Sequence, residues 1–167
     1  MVSEFSQNID KSLKSAKKDS LTIAVNNALQ NQLPQEEYWK LDEKLKDGIL
    51  VNSKDDFELL LKIIQEKFHW VDDEYIQETV EHESEHIDKA KEVLARYGNA
   101  IQYKYGVRFL QTNSGNVGIH AYYLLLSNES IKPTKDEIAQ ITNAPKKKSP
   151  GDRRKMGEIN IDINGNS

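Results

Sequence analysis

Residues 82–86 read His-Glu-Ser-Glu-His. Two histidines four positions apart on a helix point the same way, so their imidazoles can grip one metal ion. A glutamate beside the first histidine can then take a proton from water that the metal holds. The chemistry that this spacing suggests is metal-assisted hydrolysis, with His82 and His86 as ligands and Glu83 as general base.

The helix must turn these residues toward the interior for that chemistry to be possible. With about 100° per residue and Glu83 as the origin, Ile76, Val80, Ile87, Ala90 and Leu94 fall within about 60° of it. Glu78, Glu81, Glu85, Asp88, Lys89, Glu92 and Arg96 fall on the opposite face. Glu83 is thus an acid inside an apolar stripe, where an uncompensated carboxylate is costly and needs a cation, a metal site or donors beside it. His82 and His86 lie together on one flank of the stripe.

This helix resembles the active-site helix of the zincin metallopeptidases, whose His-Glu-x-x-His motif matches His82, Glu83 and His86. The resemblance implies Zn2+ held by His82 and His86, with Glu83 as catalytic base and a peptide or protein as substrate. It covers the motif helix alone. The metzincin branch is excluded, because its Gly and third His would fall at Lys89 and Glu92. The same five residues also satisfy the inverted pattern His-x-x-Glu-His with Glu85 as base. Glu85 lies on the charged face, so Glu83 is favoured.

A catalytic zinc usually has three protein ligands. His120 is the first candidate for the third, and Glu137, on a short helix after Pro133 as in a gluzincin-like arrangement, is the second. Arg108, Tyr122 or Tyr123 would stabilise an oxyanion in the enzyme reading. A competing account needs no metal: Glu83 is a buried acid paired with Arg108 or Lys104, and the histidines are surface residues of an acidic helix.

The elements that position these residues follow from periodicity and punctuation. Residues 1–20 form a polar, Lys-rich segment, frayed or the start of a weak helix through Leu21, Val25, Ala28 and Leu29. Residues 35–47 read as a short helix ended by Asp47-Gly48. Ser53 or Asp55 opens a helix carrying Phe57, Leu60, Leu61, Ile64 and Phe68. Asp72 and Asp73 open the motif helix, expected over Glu74–Tyr97 with Gly98-Asn99 as its stop. The period then changes to two. Ile101–Phe109 and Val117–Ser127 flank Asn113-Ser114-Gly115-Asn116, which predicts a β-hairpin. Pro133-Thr134 opens a short helix with Ile138 and Ile141. The expected fold is α+β: a helical N-terminal half with the motif helix, a hairpin and a short C-terminal helix. Residues 21–145 form its single domain, and residues 146–167 are a basic, then polar tail, expected to be mobile from Gly157 onward.

Composition narrows the function classes. With no Cys, disulfides, Cys-ligated zinc, iron–sulfur clusters and thiol nucleophiles are excluded. The net charge of -4 argues against nucleic acid as a partner. The longest apolar run, Ala121–Leu126, is far short of the roughly 18 residues of a membrane span. The first 20 residues have no signal-peptide core and carry acids, so a soluble, cytoplasmic protein is expected. The expected function is a small zinc-dependent hydrolase, a metallopeptidase or a degenerate relative. The alternative is a non-enzymatic protein-binding module or a metal-stabilised structural domain on the same fold.

Overall fold

The computed structural model describes residues 4–34, 36, 48–112, 114–127 and 130–145. Of the helix expected over 35–47 only residue 36 is described, and the tail expected over 146–167 lies outside the described residues. Among the described residues the chain is α+β, as its change of period predicts.

α1 (Glu4–Gln30) is one continuous helix. Its residues 11–20 are all exposed; further along, Val25 is fully buried, and Leu21, Ala24, Ala28 and Leu29 pack against the core. Lys17 and Lys18 reach Asp56 and Glu66 of the next helix at 3.1 and 3.5 Å. Both pairs are largely solvated, so they orient α1 more than they stabilise it. β1 (Leu33–Pro34) and β2 (Ile49–Val51) are short strands. Ser53 caps α2 (Lys54–Gln65), its side chain accepting from Asp56 N at 3.1 Å. Phe57, Leu60, Leu61 and Ile64 recur at helical spacing on α2 and are completely buried.

α3 (Asp73–Val93) carries the His-Glu-x-x-His motif. Asp72 caps it, accepting from Tyr75 N at 2.8 Å. The α-helix stops at Val93, one turn earlier than the sequence suggests. The chain continues as a 3₁₀ segment over Ala95–Ala100, where Gly98 takes φ +57°. That left-handed conformation is open to glycine without steric penalty, and it turns the chain into the sheet.

β3 (Ile101–Gln111) and β4 (Val117–Ser127) form the predicted hairpin, in antiparallel register from Ile101↔Ser127 to Gln111↔Val117. On its other edge β3 pairs antiparallel with β2 and, further along, parallel with β1. α4 (Lys135–Thr142) closes the described chain with a capping box between Thr134 and Glu137.

The pleat sorts the hairpin into two faces. Tyr105, Val107 and Phe109 of β3 and Tyr123 and Leu125 of β4 join the main core with α2 and α3. Lys104, Gly106 and Arg108, paired with Leu124, Tyr122 and His120, point to the opposite side. Among the described residues no helix is long and apolar enough to cross a membrane.

Candidate functional site

α3 turns the motif inward, as the helical wheel requires. Glu83 is 4% exposed and His86 is 0% exposed, and both lie among Ile76, Val80, Ile87 and Ala90. His82 is half-buried on the flank. The His82 and His86 rings approach edge to face, with centroids 5.0 Å apart and planes at 84°. β4 supplies the floor: Tyr123 stacks on His86 at 4.3 Å and 25°.

α4 supplies the decisive hydrogen bond. His86 Nδ1 lies 2.8 Å from the carbonyl oxygen of Ile141, in a fully enclosed environment. A carbonyl can only accept, so Nδ1 carries the proton and donates it. In the neutral ring the lone pair is then at Nε2.

Glu83 acts on two tyrosines. Burial raises the Tyr75 hydroxyl above its ordinary pKa; a hydrogen bond with Thr79 opposes this, and the Glu83 charge adds to it. Burial also raises Tyr105, whose hydroxyl donates to Ser84 Oγ at 3.5 Å; the Asp88 and Glu83 charges add to that rise. The Glu83 charge is therefore within electrostatic reach of both phenols.

His120 is not brought to this site. It points off the far face of β4, where its ring stacks on Tyr122 at 5.4 Å and its strand partner is Arg108. Tyr123, which does face His86, is three residues along the strand, and an odd separation places two side chains on opposite faces. The sheet thus stands between His120 and the His82–His86 pair. The same parity separates Glu83 from its suggested cationic partners. The Arg108 guanidinium carbon lies 3.9 Å above the Tyr122 ring, and Lys104 donates to Asn52. Of the two tyrosines considered as oxyanion donors, Tyr123 is on the motif side and Tyr122 is not.

Glu137 is committed elsewhere. Its carboxylate accepts from Thr134 N at 2.9 Å and from Arg96 Nη2 at 2.7 Å. Burial alone would raise its pKa, but the Thr134 and Arg96 hydrogen bonds and the Arg96 charge hold it below the usual range. Among the described residues no group of three or more His, Asp or Glu side chains is placed to hold one metal ion.

Two contributors were not named from the sequence as parts of the metal set. The Ile141 carbonyl is backbone and leaves no residue signature. Tyr123 shares a parity with Leu125 and Tyr105, but both parities of β4 are apolar enough to face a core. No family model, curated protein or solved structure matches the chain.

Proposed function

We propose that the protein is a small zinc-dependent hydrolase acting on peptide bonds, with His82 and His86 as metal ligands and Glu83 as general base. The observation that carries this reading is the His86–Ile141 hydrogen bond. A metal-binding histidine characteristically donates its other ring N–H to a carbonyl or carboxylate, which fixes the tautomer and orients the ring. The spacing of the rings supports it. Two imidazoles sharing an ion, with metal–nitrogen distances of about 2.0–2.1 Å and a tetrahedral angle, place their centroids roughly 5 Å apart. The observed separation is 5.0 Å.

Zinc, when bound, supplies Lewis acidity that polarises a carbonyl and lowers the pKa of water. The protein's own groups do the rest. His86 is locked by Tyr123 and Ile141, so its Nε2 needs no reorganisation. Half-buried His82 gives the pair an edge toward solvent. Glu83, adjacent in sequence and inside the apolar stripe, accepts the proton of the attacking water and delivers it to the leaving amine.

Among the described residues no third His, Asp or Glu is placed to join His82 and His86 at one ion. That observation favours, as the second reading, a non-enzymatic module in which His82, the buried His86 and Glu83 are polar packing. One titration separates the two. Purified protein should bind close to one Zn2+ per chain, and His82→Ala or His86→Ala should abolish binding. Glu83→Gln should keep the metal while peptide hydrolysis falls by roughly 10²-fold or more. Absence of zinc binding by the unaltered chain would overturn the metal reading and leave the binding module.

A further inference from the structure

We propose that Glu137 and Arg96 are positioning residues for the His82–His86 site, acting on His86 through α4. Only the affinity arm of this proposal rests on the metal reading; the tautomer arm does not.

Glu137 ties the start of α4 to the chain just beyond α3. Its Oε1 accepts from Thr134 N within α4's own cap and from Arg96 Nη2 across the interface, and it lies 3.4 Å from the Tyr97 hydroxyl. Arg96 is itself braced: its guanidinium lies over the Tyr97 ring at 4.5 Å and donates to the Tyr97 oxygen at 2.6 Å. The Glu137 side chain is only 13% exposed, so this junction is more ordered than an open surface pair.

Ile141 follows Glu137 by one helical turn and so projects from the same side of α4. Its carbonyl lies in the last turn, at the negative end of the helix dipole, and accepts from Ala144 N at 3.3 Å as well as from His86 Nδ1. Glu137 meets the chain beyond the end of α3, and Ile141 meets His86 within α3, so α4 runs antiparallel to α3. Ile141 and Ile138 pack α4 onto the core, and these two polar contacts set its tilt on that packed face. With the Glu137 anchor removed, α4 pivots on Ile141, and the N–H···O angle at His86 is no longer imposed. Hydrogen bonds weaken steeply as that angle closes toward about 120°. The His86 ring then loses its preference for a proton on Nδ1.

The test uses the full chain without metal. Multiple-bond ¹H–¹⁵N spectra of the imidazoles report which nitrogen is protonated. In the unaltered protein His86 should carry its proton on Nδ1. Glu137→Ala and Arg96→Ala should each shift His86 toward the Nε2–H form with far-UV circular dichroism preserved, and Arg96→Lys should restore the original pattern. In a Zn2+ titration the two alanine variants should bind about tenfold more weakly, the low end of the effect of removing an outer-sphere partner. A His86 signal that stays on the Nδ1–H form in both alanine variants overturns the proposal, even where the melting temperature falls. If the unaltered protein binds no zinc and the tautomer still shifts, positioning stands and the metal reading fails. If zinc binds and neither variant moves tautomer or affinity, positioning fails and the metal reading stands. Should Glu137→Ala not fold, Arg96→Ala provides the same readout from an exposed side chain.

Discussion

Gly106→Ala tests the two-faced hairpin on which the site assignment depends. Gly106 is paired with Tyr122 across the hairpin, and the Tyr122 ring lies over it. A methyl group on Gly106 would come within 2.5 Å of the Tyr122 Cε2 and Oη atoms and closer still to Cζ. Carbon–carbon contact is comfortable at about 3.5–4.0 Å, so the ring must move by about 1 Å or more. It has little room to do so. Tyr122 is 3% exposed, Arg108 covers it at 3.9 Å, and its hydroxyl lies close beside Gly48. Overpacking of this kind costs about 1–3 kcal/mol, and loss of a desolvated cation–π contact adds up to about 2 kcal/mol. Against this, Gly106 has no positive φ, so alanine recovers about 0.4–1 kcal/mol of chain entropy. The expected net destabilisation is about 1–3 kcal/mol. With a urea slope of about 2 kcal/mol/M, the unfolding midpoint should fall by about 0.5–1.5 M at unchanged slope. In a Tyr122→Ala background the same substitution should cost nothing, giving a coupling of about 1–3 kcal/mol. Additive effects, or a stabilised single variant, would refute the packing argument and the face assignment with it.

Three further outcomes follow from the same structure. His120→Ala should leave zinc affinity unchanged within about twofold by calorimetry, because the sheet separates His120 from His82 and His86; loss of binding would overturn that placement. Asp72→Ala should destabilise the chain by about 1 kcal/mol in urea unfolding, since it removes the acceptor for Tyr75 N at the start of α3. The stabilisation that Glu137 gives α4 should be complete above about 4.5, the carboxyl's ordinary value, and should be lost as pH falls through its lower folded value. Protection of the α4 amides, with the base-catalysed intrinsic exchange rate at each pH divided out, should fall over that window as pH is lowered from about 6, and Glu137→Gln should remove the pH response.

Much of the fold was legible along the chain because local rules and burial agree there. Ser53, Asp72 and Thr134 each stand where a side-chain oxygen must cap a helix, and each does so. The change of period at Ile101 marks the hairpin. Gly98, at the turn into it, and Gly115, at the turn within it, both take positive φ. The inward placement of Glu83 also follows from sequence, since 3.6-residue periodicity decides which side of α3 is apolar before any partner is known.

The partners themselves were decided by tertiary structure. A two-residue period says that His120 and Tyr122 share one face of β4 while Ala121 and Tyr123 share the other, but not which face meets α3. Both parities carry large apolar side chains, because both faces of the hairpin are buried around Tyr122 and Tyr123. Hydrophobicity therefore cannot choose; the pairing of β4 with β3 and the stacking of Tyr123 on His86 set His120 on the other side of the sheet from that pair. Glu137 was drawn to the metal by its residue type, whereas the docking of α4 on α3 placed Arg96 within 2.7 Å of it. The hydrogen bond that sets the His86 tautomer spans 55 residues and ends on a backbone carbonyl. Every residue has such a carbonyl, so only the packing of α4 could single out that of Ile141.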